Sequence, residues 1–236
     1  MSSLDWASAR AQPAGIIKIA ATLPVGVHIL GAARPGFTKS FPKVSVDLRL
    51  GDRYVDLIEE GVDVAVRVGN PGDTRFIARQ LALHRIWAFA SPGYLKERGT
   101  PTHPSELLKH DCVSFRYQAT GLEAVWPFLI GGKLLEFAPS PKLVIDASDA
   151  IATALASGAG IGLSATYIAA PYVRRGELVP VMYDFAYDRF HLHALWPESR
   201  WSNPAVKAFV AFLKEVFPSP MPWDSLVASY ASDSAG

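Results

Sequence analysis

The chain has one cysteine, Cys112, in 236 residues. No intramolecular disulfide can form, which fits a reducing cytoplasm, the expected location. A charge surplus is also lacking: 23 Lys and Arg stand against 22 Asp and Glu. That near balance removes the global basic excess expected of an autonomous nucleic-acid binder. No run approaches the roughly 20 apolar residues of a membrane-spanning helix, and the longest low-charge stretch, Ala147 to Val173, is broken by Gly158, Gly160, Gly162 and Pro171. The opening MSSLDWASARAQPAG has no apolar centre of the kind a secretory leader needs. It reads as a linker remnant over residues 1–15, with Leu4, Ala7 and Ala11 forming the tail of a helix begun earlier in a longer protein. A Gly-x-Ser-x-Gly nucleophile elbow is missing as well.

What is present is a sizeable apolar fraction, 50% of the residues, arranged in alternating strand and helix patterns. The clearest unit is DRYVDLIEEGVDVAVRVG, Asp52 to Gly69. Asp52 suits a helix N-cap, Val55, Leu57 and Ile58 supply an apolar stripe, and Gly61 suits the left-handed stop. Val62, Val64, Val66 and Val68 then alternate with Asp63, Ala65 and Arg67, the period of a strand. Before it, Ile16 to Ala21 predicts a strand and Thr22 a cap for a helix to about Phe41, with Pro24 in the first turn. Gly31, Pro35 and Gly36 predict a break or kink near the middle of that helix. Val44 to Leu50 is a second alternating strand.

Further strands are expected over Phe76–Leu83, His84–Ala90, Cys112–Phe115, Leu143–Ile145, Gly158–Leu163 and Phe190–Trp196. Helices are expected over Pro92–Arg98, Pro104–His110, Ser148–Ser157, Thr166–Arg174 and Pro204–Phe217, the last capped by Asn203. Gly131-Gly132 predicts a hairpin turn between Val125–Ile130 and Leu134–Phe137. Trp223, Leu226, Val227 and Tyr230 have helical spacing, so the tail is expected to dock on the body. This alternation predicts an α/β fold with mostly parallel pairing. A last helix that returns to the first sheet gives two domains, two crossover connections and a ligand cleft between them.

The loops after the strand ends should line that cleft. They hold Thr22 and Leu23, Arg67 to Gly69, Phe115 and Arg116, Asp146, Ala147 and Ser148, and Ser164 with Tyr167. Several of these residues begin helices, whose free N–H groups favour anions, and Arg67 or Arg116 can add a bidentate carboxylate contact. The expected effector is thus a small organic acid. Asp146 argues for a competing ligand with an amino or hydroxyl group, and the plain reading makes Asp146 an N-cap and Arg67 an ion-pair partner.

Other signals reduce to structure. Gly158-x-Gly160-x-Gly162 follows a helix and opens a strand, the reverse of a dinucleotide fingerprint, and reads as a tight turn. His191 and His193 share a strand face but lack the further ligands a metal needs. Cys112 and His110 have no oxyanion loop beside them. Arg174-Arg175 suits a solvated helix end. No cofactor or metal is expected, nor catalysis.

Taken in order, GIIKIAATLPVG, FTKSFPKVSVDLRL, VDLIEEGVDVAVRVG, ALASGAGIGLSATYIAAPYVRRGELVPV and NPAVKAFVAFL resemble successive pieces of the effector-binding domain of LysR-type transcriptional regulators. The resemblance covers Ile16 to Phe217. It implies two Rossmann-like subdomains joined by two crossover strands, as in type-2 periplasmic binding proteins. Subdomain I would hold residues 16–88 and 194–217, subdomain II residues 89–193, and residues 218–236 a tail, with crossings near Trp87–Phe89 and Leu192–Ala194. It implies a small-molecule effector and a homodimer, tetrameric in the full-length protein. The dimer would pair the helix near Val27–Phe41 with the partner's helix near Ala150–Ala156. DNA would be reached only through an N-terminal winged helix-turn-helix absent from these residues. Pro24 stands where the best-matching branch of the family usually has Ser, which removes a hydroxyl and an N–H from the effector side. A solute-binding protein of a transport system shares the expected fold and is the alternative function; an enzyme on the same scaffold would need convergent acid and base groups.

Overall fold

The computed structural model describes residues 12–51, 60–69 and 75–233. The helix expected from Asp52 and most of the Gly69-Asn70-Pro71-Gly72 turn lie outside the described residues. Gly61, expected to end that helix, does have φ +63°.

The first strand, β1 (Gly15–Ala21), runs parallel to β2 (Val44–Leu50) and to β3 (Val64–Val68). β12 (Phe190–Pro197) is antiparallel to β3 and also to β4 (Phe76–His84), so the sheet order is β2-β1-β3-β12-β4. The alternation read from the sequence puts Val64, Val66, Ile17, Ile19, Leu192 and Ala194 into one core. The helices α2 (Gly31–Ser40) and α6 (Pro204–Val216) cover it through Phe37, Phe209 and Leu213. Asn203 caps α6, its Oδ1 accepting from the Ala205 N–H at 2.9 Å.

The expected break in the first helix takes another form. α1 (Leu23–Val25), a π-helical turn (Gly26–Leu30) and α2 follow one another without a gap, with Pro35 inside α2. The distortion sits at the π turn, ahead of the proline. Gly26 is what lets β2 approach there: a Cβ on it would lie 2.0 Å from Leu50 Cδ2.

The second sheet has the order β11-β5-β10-β6-β9. β5 (Ile86–Ala90) is antiparallel to β10 (Ile161–Ala165) and β11 (Val179–Val181). β10, β6 (Cys112–Phe115) and β9 (Leu143–Ile145) are parallel. One face packs α3 (Pro92–Arg98) with the hairpin of β7 (Trp126–Ile130) and β8 (Lys133–Phe137). The other packs α4 (Ser148–Ala156) and α5 (Thr166–Arg174). Pro104–Lys109 is a 3₁₀ turn rather than an α-helix, begun by His103.

The chain passes from the first sheet to the second between His84 and Ile86, and back between Val181 and Phe190. Both passages fall earlier than Trp87–Phe89 and Leu192–Ala194. The physical reason is pairing: Trp87, Ala88 and Phe89 pair with β10, and Ala88 and Phe89 also with β11, while Phe190 to Pro197 pair with β4. A third link exists. After α6 the chain runs on to α7 (Pro222–Asp233), which lies against α5 and β11. Met221 belongs to the first core and the fully buried Val227 to the second, so the tail bridges both.

Candidate functional site

The subdomains meet where the π turn that follows β1 and α1 touches the first turns of α4 and α5, which follow β9 and β10. On the first side, Thr22 is the residue before α1 and is extended, with no side-chain cap bond. Leu23 is exposed and Pro24 buried. Gly69 has φ +104° and donates its N–H to the His191 carbonyl at 3.0 Å. Arg67 is half-buried and registers with His193 on β12. Strand alternation sets it on the face of Ala65, opposite the core face of Val64 and Val66.

On the second side, Phe115 pairs with Ile145, and the Arg116 N–H donates to the Ile145 carbonyl at 2.8 Å. Asp146 and Arg116 are exposed. The Asp146 carbonyl accepts from Gln118 Nε2 at 3.3 Å. Asp146 is not the cap of α4: Ala147 occupies that position with extended dihedrals and Ser148 is the first helical residue. Ser164 is buried at the end of β10, and Tyr167 lies in the first turn of α5. Phe115, Arg116 and Asp146 to Ser148 are therefore one group and Ser164 with Tyr167 its neighbour, while Arg67 stands apart on the outer sheet face.

The contacts that join the two sides involve Tyr167, expected in the cleft, together with His28, Asp149, His84 and Trp223, which the sequence patterns do not place there. His28, in the π turn, meets Asp149 in the first turn of α4, Nε2 to Oδ1 2.5 Å. The ring of Tyr167 lies 6.2 Å from that of His28, 5.6 Å from that of His84 and 6.0 Å from that of Trp223. His84 ends β4 and is buried, and burial lowers its pKa from 6.5 to about 4. Its Nδ1 has no hydrogen-bond partner among the described residues. Burial alone would lower the pKa of the neighbouring Arg85; Asp224 and Asp188 outweigh it and push it up. No local motif marks His28 or Arg85, because each is defined by a partner more than a hundred positions away.

Among the described residues, Cys112 and His110 are not joined side chain to side chain. Burial pushes the Cys112 thiol up to about 11, and among the described residues Sγ donates to the Leu107 and His110 carbonyls. The His110 ring is engaged instead by the Tyr94 hydroxyl at 3.1 Å. An apolar hollow of about 10 Å³ between Ile19, Leu30, Phe37 and Phe209 lies inside the first core and has room for little more than one water.

The chain as a whole is similar to known proteins. The LysR substrate binding domain family matches residues 10–218. An HTH-type transcriptional regulator of Xanthomonas campestris pv. campestris is 29% identical over 203 residues, 85% of this chain and 59% of that protein. YcaN of Escherichia coli, also an HTH-type transcriptional regulator, is 30% identical over 206 residues, 87% of this chain and 67% of that protein. The chain thus spans about three-fifths to two-thirds of the length of these curated relatives. Among solved structures, the regulatory domain of CrgA, a LysR-type transcriptional regulator from Neisseria meningitidis, superimposes with a TM-score of 0.78 at 26% identity. That likeness covers 87% of this chain and all of the CrgA domain. With a match that runs through both sheets and their connections, this chain belongs to the LysR substrate-binding domain family and is an effector-binding domain of the LysR type.

Proposed function

We propose that this domain senses a small organic acid between its subdomains, in the service of a transcriptional regulator that reaches DNA through a winged helix-turn-helix outside these residues. The observation that supports this reading is that the first turns of α4 and α5 meet the π turn of the first helix, through Asp149 and Tyr167 beside His28. The positive end of a helix dipole suits a carboxylate. Arg116 at the rim and His28 across from α4 add cationic or donor groups. Thr22, Leu23, Pro24, Gly69, Phe115, Asp146, Ala147, Ser148, Ser164 and Tyr167 are the proposed lining, and Arg67 lies apart from them on the face of Ala65. Asp146 and Asp149 disfavour a ligand of high negative charge, which narrows the class to monocarboxylates and amino or hydroxy acids. The module acts by binding alone: an effector shifts the subdomain angle by its differential affinity for two arrangements. The protein works in the cytoplasm, where its DNA is.

The experiment is a thermal-shift screen of carboxylates, amino acids and neutral aromatic metabolites. A ligand at a hundred times its dissociation constant stabilises by about 2.7 kcal/mol, a shift of roughly 5 to 11 °C at this size. A hit among the carboxylates that weakens in His28→Ala and Arg116→Ala meets the expectation; hits confined to neutral or cationic compounds overturn the acid class. We also propose an antiparallel dimer that pairs the exposed Val27 side of the first helix with α4 of the partner. A monomer in sedimentation at high concentration would refute it.

A further inference from the structure

The hinge between the subdomains carries a side-chain network that engages all three chain links at once. Arg85 sits in the first passage, between β4 and β5. Its Nε donates to Asp188 Oδ2 at 2.8 Å, in the returning passage. Its Nη1 donates to Asp224 Oδ2 at 2.5 Å, in the first turn of α7. The other Asp224 oxygen accepts from the Thr166 hydroxyl at 2.5 Å, and the Thr166 N–H donates to the Arg85 carbonyl at 3.0 Å. Thr166 opens α5 in the second subdomain. Asp224 is 5% exposed and Thr166 fully buried, so the bond between them is shielded from water, while Arg85 and Asp188 stay partly exposed.

Around this network the packing also spans both subdomains. Trp223 contacts both cores and stacks edge-on against Tyr167, whose other neighbours are His84 at the end of the first sheet and His28. Val227 is fully buried in the second core and Met221 buried in the first. α7 lies beyond the residues that the family match reaches. A two-strand hinge bends by torsion in two short passages. Here a planar guanidinium holds those passages to a helix that is anchored on both sides.

We propose that α7 is a clasp on the hinge: through Asp224 it fixes Arg85 and thereby sets the resting angle between the subdomains and restrains its excursions. Arg85 and Asp224 are positioning residues, since neither needs to touch an effector. The proposal adds to the effector-binding reading the element against which an effector must work.

The test is a pulsed electron-paramagnetic-resonance distance measurement on the protein without any effector, in a Cys112→Ala background. Spin labels go at Lys39 on α2 and Glu97 on α3, one in each subdomain and both exposed. A control pair at Lys39 and Lys214 lies within the first subdomain. Asp224→Asn and Thr166→Val each remove part of the clasp. The expected result is a wider or displaced Lys39–Glu97 distribution in both variants with an unchanged Lys39–Lys214 distribution. Thr166→Val, nearly isosteric, decides alone where Asp224→Asn does not fold. A Lys39–Glu97 distribution that superimposes on the parent's overturns the clasp, and so does a control pair that widens equally, since that reports general loosening. As no effector enters, failure here leaves the effector reading standing, and an empty ligand screen leaves the clasp standing.

Discussion

Acidification should loosen this protein through His84. The side chain is 9% exposed, and burial lowers its pKa from 6.5 to about 4. A folded pKa below the unfolded one means that the unfolded chain binds the proton first. His84 therefore contributes its full stability above about pH 6.5 and loses it as pH falls toward about 4. The full loss is about 3 kcal/mol. Between about pH 8 and pH 5 it is about 2 kcal/mol, or roughly 4 to 8 °C in Tm for a chain of this size. The perturbation that isolates the effect is His84→Phe, which keeps a flat ring against Tyr167 and does not titrate. Urea unfolding of both proteins at the two pH values gives the double difference, in which His110, also lowered mainly by burial, cancels. The expected outcome is that the parent loses about 2 kcal/mol more than the variant over this range. Parallel pH profiles would refute the assignment of the loss to His84.

Three further outcomes follow from packing and capping. Gly160→Ala should cost about 2 kcal/mol or more in denaturant unfolding, because φ is +138° and a Cβ would lie 2.2 Å from the Asp111 carbonyl oxygen. Asn203→Ala should cost about 1 kcal/mol through the lost cap of α6, with the fold unchanged by circular dichroism. Cys112, with its thiol pushed to about 11, should resist a thiol reagent near neutral pH in the native state and react only once the protein is unfolded by guanidinium.

Most elements were legible because the signals were local. The alternation of Val62 to Val68 gave β3, Gly131-Gly132 gave the β7–β8 turn, and Asn203 followed by Pro204 gave the start of α6. The helical spacing of Trp223 to Tyr230 foretold α7 and its docking. The π turn was not legible, and the contact that requires glycine at its first residue, Gly26, is with Leu50 of β2, outside the helix. The passages between the sheets are not fixed by the pattern, because a strand pattern does not name its neighbours: Trp87 reads as strand in either sheet. For the same reason the loop residues after each strand could be named, whereas His28, Asp149, Arg85 and Asp224 could not. Their roles exist only once helices distant in sequence are brought face to face.

The strand order of the first sheet also governs how the protein can emerge from a ribosome. β4 has β12 as its neighbour in that sheet, so Phe76 to His84 cannot be paired until Phe190 to Pro197 has been made. The second sheet, drawn from the continuous span between Ile86 and Val181, can close in the meantime. Synthesis at about 5–20 residues per second leaves the open edge of β3 and all of β4 waiting for several seconds. The apolar face that α6 will cover waits longer still. The nascent chain thus carries its greatest need for chaperone cover in its first half, although that half is the first to be made.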